Sequence, residues 1–135
     1  MLKGRIMSTL TRQEMSRRRI ILKDRLEESY FMRSHDFKPE TAEVWMAIAD
    51  GYYGGYTVNV SAIARKTKID KATVSRHVER LLQRDIPMVT RHERGQDTIL
   101  RLAQYDLLNP TTTEFFQLRY QAIIDHAEAL RSLGV

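Results

Sequence analysis

The residues best placed to do chemistry lie between Ser61 and Arg94. This stretch holds Lys66, Lys68, Lys71, Arg76, Arg80, Arg91 and Arg94, interleaved with the hydroxyls of Ser61, Thr73 and Ser75. Such a set donates hydrogen bonds to phosphate oxygens and to the acceptor edges of bases. Arginine can bond two acceptors at once, while lysine acts as a point charge. Other chemistries are poorly served. There is no cysteine, which excludes disulfides, thiolate metal sites and thiol catalysis. The four histidines, His35, His77, His92 and His126, show no spacing typical of a metal site. No nucleophile stands at a useful spacing from a base, and Gly51-Tyr52-Tyr53-Gly54-Gly55 lacks the following Lys-Ser/Thr of a phosphate loop. The expectation is a protein without catalytic residues, metal or cofactor.

The elements that must position these side chains follow from periodicity. Ser61 suits the N-cap of a short helix over 62–67, and Asp70 suits the cap of a second helix running from Lys71 to Gln83 or Arg84. Val74, Val78, Leu81 and Leu82 share one face of the second helix, so Thr73, Ser75 and Arg76 face away from it. Lys68-Ile69-Asp70 is the tight connection. Met88–Arg91 and Thr98–Leu102 are β-prone runs separated by a polar stretch with Gly95, which reads as a hairpin. Short helix, turn, helix and hairpin together predict a winged helix-turn-helix, with Arg91, Arg94 and His92 carried on the wing. In this reading Thr73, Ser75 and Arg76 face base edges. Ser61, Lys66, Lys68, Lys71, Arg80, Arg91 and Arg94 complete the DNA-binding set.

Flanking segments complete the architecture. A helix is expected over 11–32, capped by Ser8, Thr9 or Thr11, with Met15, Leu22, Leu26 and Tyr30 at helical spacing and Arg17-Arg18-Arg19 in its first half. The run from His35 to Pro39 interrupts it. Glu40 to Asp50 is a second helix, stopped by Gly51, and 51–56 a loop. Thr111-x-x-Glu114 matches a capping box for a long terminal helix over 112–132. In that helix Phe116, Tyr120, Ile123, Ala127 and Leu130 step by four, three, four and three, a heptad-like seam that favours a partner helix. Met15, Leu22 and Leu26 join that seam as a homodimer interface. The fold class is thus mainly α (α+β): a single domain over 1–135, with a winged helix-turn-helix core at 40–104 and dimerisation helices at 11–32 and 112–132.

Composition agrees with this class. At 42% hydrophobic and 29% charged, the chain suits an ordinary globular domain of 135 residues. The net charge of +5 is unevenly spread, with positive blocks at 1–34 and 61–103 and negative blocks between and after them. A basic block on a compact domain attracts polyanions. No apolar run reaches the length of a membrane span, and the first ten residues lack the apolar core of a secretory signal, so a cytoplasmic, nucleoid-associated protein is expected. Met7 is an alternative start.

The run from Val60 to Leu82, Val-Ser-Ala-Ile-Ala-Arg-Lys-Thr-Lys-Ile-Asp-Lys-Ala-Thr-Val-Ser-Arg-His-Val-Glu-Arg-Leu-Leu, resembles the winged-helix core of MarR-type bacterial transcription regulators. Lys68 stands where that family commonly has Gly in the turn, and His77 where an apolar residue is usual. The resemblance implies a homodimeric, double-stranded-DNA-binding regulator, of repressor type, whose terminal helices build the dimer. It also implies a small phenolic or lipophilic effector, for which Trp45, Tyr52 and Tyr53 are the candidate pocket residues. Two alternatives are a winged helix that binds a protein partner, and a replication or partition DNA-binding protein of a mobile element.

Overall fold

The computed structural model describes residues 10–34 and 37–135. It is mainly helical, with one two-stranded antiparallel hairpin: α1 Arg12–Ser34, α2 Pro39–Gly54, α3 Val60–Thr67, α4 Lys71–Leu82, β1 Val89–Arg94, β2 Asp97–Leu102, α5 Gln104–Leu108 and α6 Pro110–Ser132. The hairpin follows α4, and the two long helices α1 and α6 flank the rest in sequence. The chain divides into two compact units, one built from the described part of Met1–Phe31 with Phe115–Val135, the other from Met32–Glu114. No described helix is long and apolar enough to cross a membrane.

In the unit Met32–Glu114, α2 is the hub, touching α3, α4 and β2. Its Val44 and Ile48 are fully buried, and Trp45, Ala47 and Ala49 nearly so. Ile63 from α3, Val74 and Leu81 from α4, and Val89 and Leu100 from the hairpin close the same core. Each large side chain so buried stabilises the fold by roughly 1.5–3 kcal/mol. Pro39 opens α2 at the first helical position, where its missing N–H costs nothing.

The expected stop of this helix at Gly51 is corrected: the helix continues one turn, to Gly54. Gly55 is the true terminator, with φ 77°. Its N–H bonds Tyr52 O at 3.2 Å, and the Tyr56 N–H bonds Gly51 O at 2.9 Å, the Schellman pattern. Gly51 serves a different purpose. A Cβ there would sit 2.7 Å from Val58 Cγ1, so the bare Cα lets the returning chain lie against the helix. That chain is residues 57–60. It makes a single bridge, Val58 to Leu100.

The cap of α3 is also corrected. Asn59, not Ser61, caps it: Asn59 Oδ1 accepts from Ala62 N at 2.8 Å, and the helix begins at Val60. Both residue types cap well. Asn59 prevails because its Nδ2 also donates to both carboxylate oxygens of Asp97, at 3.1 and 3.0 Å, which ties the helix start to β2. Asp70 caps α4 as expected, accepting from Thr73 N at 2.9 Å.

The strands run further toward the turn than expected, pairing from Val89↔Leu102 to Arg94↔Asp97. The polar stretch 92–97 is therefore mostly strand, closed by the two-residue loop Gly95-Gln96. Gly95, with φ 64°, takes the first central position, where a type II′ hairpin turn requires positive φ. The single-turn helix α5 was not anticipated. It carries Asp106, fully buried, which accepts from Trp45 Nε1 at 3.0 Å and Thr112 Oγ1 at 3.0 Å. Burial pushes this carboxyl above its ordinary range, against the opposing pull of those two donors and of Arg84. The start of α6 moves back to Pro110, because Asn109 Oδ1 takes the Thr111 N–H at 2.9 Å. The expected Thr111 capping box is not the cap.

In the other unit, α1 and α6 lie antiparallel. Thr11 Oγ1 accepts from Glu14 N at 3.0 Å and caps α1. The alternatives Ser8 and Thr9 lie outside the described residues, as do His35 and Asp36. Contacts run from Gln13 and Arg17, both donating to Leu133 O, through Asp24 and Glu28 with Arg119, to Phe31 and Phe115, whose ring centroids are 5.6 Å apart. His126 Nδ1 lies 3.0 Å from Asp24. The hydrogen bond from Arg119 holds the Asp24 carboxyl below its ordinary range, against partial burial.

Candidate nucleic-acid interface

In α4 the buried residues are Val74, His77, Val78 and Leu81, a helical stripe turned to the core. The opposite face exposes Lys71, Ala72, Ser75, Arg76, Glu79 and Arg80. His77 is only 6% exposed. Its Nδ1 lies 2.8 Å from Thr41 Oγ1 and 3.4 Å from Arg80 Nη1, and its Nε2 lies 3.3 Å from Glu40 Oε1. With hydrogen on Nε2, that nitrogen donates to Glu40 and the single lone pair of Nδ1 accepts from Thr41, the nearer of its two neighbours. The partners that make this buried imidazole tolerable, Thr41 and Glu40, come from α2.

The N-terminal edge of α4 is ordered by a short chain of hydrogen bonds. Arg76 Nη2 donates to Thr73 Oγ1 at 3.0 Å, and Thr73 Oγ1 donates to Asp70 Oδ2 at 2.9 Å. Thr73 is half-buried and its hydroxyl is already used, so it positions Arg76. The Thr73 backbone N–H, then its hydroxyl, hold the Asp70 carboxyl below its ordinary range, with Arg76 adding to the effect. Ser75 is exposed with no side-chain partner among the described residues.

Lys68 occupies the turn with φ 64° and ψ 22°, donating its N–H to Ala64 O at 2.9 Å. This is the left-handed region that favours glycine. Its side chain is exposed. Lys68 and Lys71, and Arg65 in the last turn of α3, make no side-chain hydrogen bond or ion pair with any described residue. Arg65 escapes the sequence reading. Its signal would have been its place in the last turn before Lys68, on the exposed side of α3.

Other expected contacts are already engaged. Lys66 pairs with Asp50 and donates to Tyr56 Oη at 2.8 Å. The Asp50 bond raises the Lys66 pKa above its ordinary range. Arg91 pairs with Glu79 and so fastens β1 to α4. Arg94 is exposed beside the hairpin turn and makes no such pair with a described residue. Ser61 sits half-buried in the first turn of α3.

The two acids of the Ser61–Arg84 helical segment that lie nearest this edge are thus occupied, Asp70 by Thr73 and Glu79 by Arg91. Arg65, Lys68, Lys71 and Arg76 are left as a positive edge, with the Asp70 carboxylate beside Arg76.

Trp45 is core, 4% exposed. Tyr53 is 54% exposed, its ring edge-on to Tyr52 at 5.7 Å. Tyr52 alone of the three candidate pocket residues lines the cleft described below. Among the described residues no group of three or more His, Asp or Glu side chains is arranged to hold a metal ion.

On the expected dimer seam, Met15, Leu22, Leu26, Tyr120 and Ile123 are 45–70% exposed. Ala127 is also exposed, and Phe116 and Leu130 are half-buried. The antiparallel pair instead joins through Gln13, Arg17, Asp24, Glu28, Arg119 and His126. Comparison of the chain with protein-family models, curated proteins and solved structures finds no match.

Proposed function

We propose that the chain is a winged helix-turn-helix regulator of MarR type that binds double-stranded DNA as a homodimer. In this reading α3 and α4 are the helix-turn-helix, α4 is the recognition helix and the β1–β2 hairpin is the wing. The observation that carries it is the N-terminal edge of α4. Ser75 and Arg76 stand exposed, with Lys68 and Lys71 beside them, while the opposite face is anchored in the core. A helix so anchored fits a major groove roughly 12 Å wide. Arg76, already held by Thr73, can turn to the two acceptors of a guanine, and Ser75 can donate to or accept from a neighbouring base. Lys68, Lys71, Arg65 and Arg94 suit phosphates, which position without reading sequence.

The dimer reading rests on unit chemistry. Two helices alone cannot bury two faces. This pair joins through a half-polar seam and leaves Leu22, Leu26, Tyr120 and Ile123 in water, a cost of about 25 cal/mol for each Å² of apolar surface that a second copy would cover. Two recognition helices would then meet successive major grooves about 34 Å apart.

The test is equilibrium titration of mixed-sequence duplex DNA by fluorescence anisotropy over a range of salt. DNA binding predicts log K falling linearly with log salt, by about 0.9 for each phosphate contact. A winged helix that serves only protein partners shows no salt-dependent binding.

A further inference from the structure

A second site shares only Arg94 with this interface. A cleft of about 330 Å³ opens between the C-terminal turn of α2 and the outer face of the hairpin. Tyr52, Tyr56 and Ile99 line it, together with His92, Arg94, Arg101 and the acid Glu93. The Arg101 guanidinium lies over the Tyr52 ring, 5.3 Å from its centroid, and so presents a flat cationic surface. Tyr56 lies against the bare Cα of Gly54, where a Cβ would come within 2.7 Å of the ring.

The strand register sorts the charges. Side chains alternate across a strand, so His92, Arg94 and Arg101 share one face with Asp97, the cross-strand partner of Arg94, while Glu93, on the alternate face, also lines the cleft. Its carboxylate there accepts from Thr98 Oγ1 at 3.2 Å. Asp97 is held by Asn59. Both carboxylates are thus hydrogen-bonded within the hairpin region, and Arg94 and Arg101, with His92 beside them, supply the cationic side of the cleft.

We propose that this cleft binds a nucleotide: a planar base against Tyr52–Arg101 and Tyr56, and its phosphate on Arg94 and Arg101. Two guanidinium forks match a phosphate dianion better than a single carboxylate. The volume is at the small end for ligand pockets, ~300–1,000 Å³, which suits one nucleotide. Aromatic rings beside a cationic rim are also how single strands are held. The source of the nucleotide is therefore either a free mononucleotide or one unit of a single strand.

The probe is adenosine 5′-monophosphate, titrated into the full chain and followed by amide chemical shifts. The expected result is saturable binding, with shifts confined to residues 51–57 and 92–101. Arg101→Ala should weaken it at least tenfold, and Tyr52→Leu likewise. Both positions are surface-accessible, and circular dichroism verifies the fold of each variant. Adenosine and inorganic phosphate should each bind at least tenfold more weakly than the nucleotide. A short oligoadenylate binding at least tenfold tighter assigns the site to single strands; equal affinity assigns it to the free nucleotide.

The proposal is overturned by absence of saturable binding at millimolar nucleotide, by phosphate or benzoate binding as tightly as the nucleotide, or by an unaltered affinity in Arg101→Ala. The cleft does not depend on the duplex reading. Arg76→Ala, on a different element, should impair duplex binding and leave nucleotide binding unchanged.

Discussion

Replacing Lys68 by glycine separates stability from binding at a single position. Lys68 is the one described non-glycine residue with positive φ, at 64°. Holding an L-residue there costs roughly 1–2 kcal/mol. Glycine relieves that cost but returns about 0.4–1 kcal/mol through the greater freedom of its unfolded chain. The Lys68 N–H bond to Ala64 O is a backbone bond and survives the change. The net expectation is a gain of about 0.5–1 kcal/mol, or a melting temperature higher by roughly 2–4 °C. Duplex affinity should move the opposite way. Loss of one phosphate-facing ammonium from each protomer, two per bound dimer, reduces the salt slope by about 1.8. Lys68→Ala is the companion variant: it retains the strained backbone and removes the same charge, so its stability should stay near that of the parent while its slope falls equally. Melting followed by circular dichroism, and anisotropy titrations across salt, read both quantities. A less stable Lys68→Gly protein would refute the strain argument. An unchanged salt slope in both variants would remove Lys68 from the interface.

Other outcomes follow from single contacts. Asn59→Ala removes the α3 cap and leaves Asp97 without its amide partner; it should cost about 0.5–2 kcal/mol in urea unfolding. Asp106→Asn tests the buried carboxyl. Its pKa is raised in the folded chain, so the unfolded chain loses that proton first. This contribution to stability therefore declines as pH rises from the ordinary carboxylate range, near 3.8, through the raised folded value, and stays lower above it. The asparagine variant should lack that decline when unfolding is measured from acid to neutral pH. Leu26→Glu with Ile123→Glu places charge on the exposed apolar seam. Sedimentation equilibrium should show a dimer for the parent and a monomer for the double variant, with helicity retained by circular dichroism.

Much of this arrangement was legible in the sequence, and its omissions have physical reasons. The α3–turn–α4 segment and the hairpin were readable because their apolar periods are strong and Asp70 and Gly95 mark the boundaries. The order of elements therefore followed. The stop of α2 was misread because glycine has two uses: Gly51 admits Val58, and Gly55 supplies the left-handed cap. The α3 cap was misplaced because Asn59 and Ser61 are both good caps, and Asp97, distant in sequence, decides between them. Helix α5 is a single turn held by the buried Asp106, whose partners Trp45 and Thr112 come from other elements, so no local pattern announces it. Of the candidate contacts, Lys71, Ser75 and Arg76 stand exposed as their helical phase requires, and Lys68 stands exposed in the turn between the helices. Lys66 and Arg91 do not stand free, since their acids, Asp50 and Glu79, lie across tertiary contacts. His77 is buried by the same kind of long-range pairing, with Thr41 and Glu40.

The most direct measurement is selection of preferred sites from random duplexes by the parent chain and by Arg76→Ala. A recognition helix predicts a near-symmetric site with half-sites about one helical turn apart. In the variant, preference should relax at one base pair of each half-site, with affinity reduced by roughly 1–3 kcal/mol. An unenriched pool, or one in which Arg76→Ala selects the same sequences with the same affinity, would contradict the placement of α4 in a DNA groove.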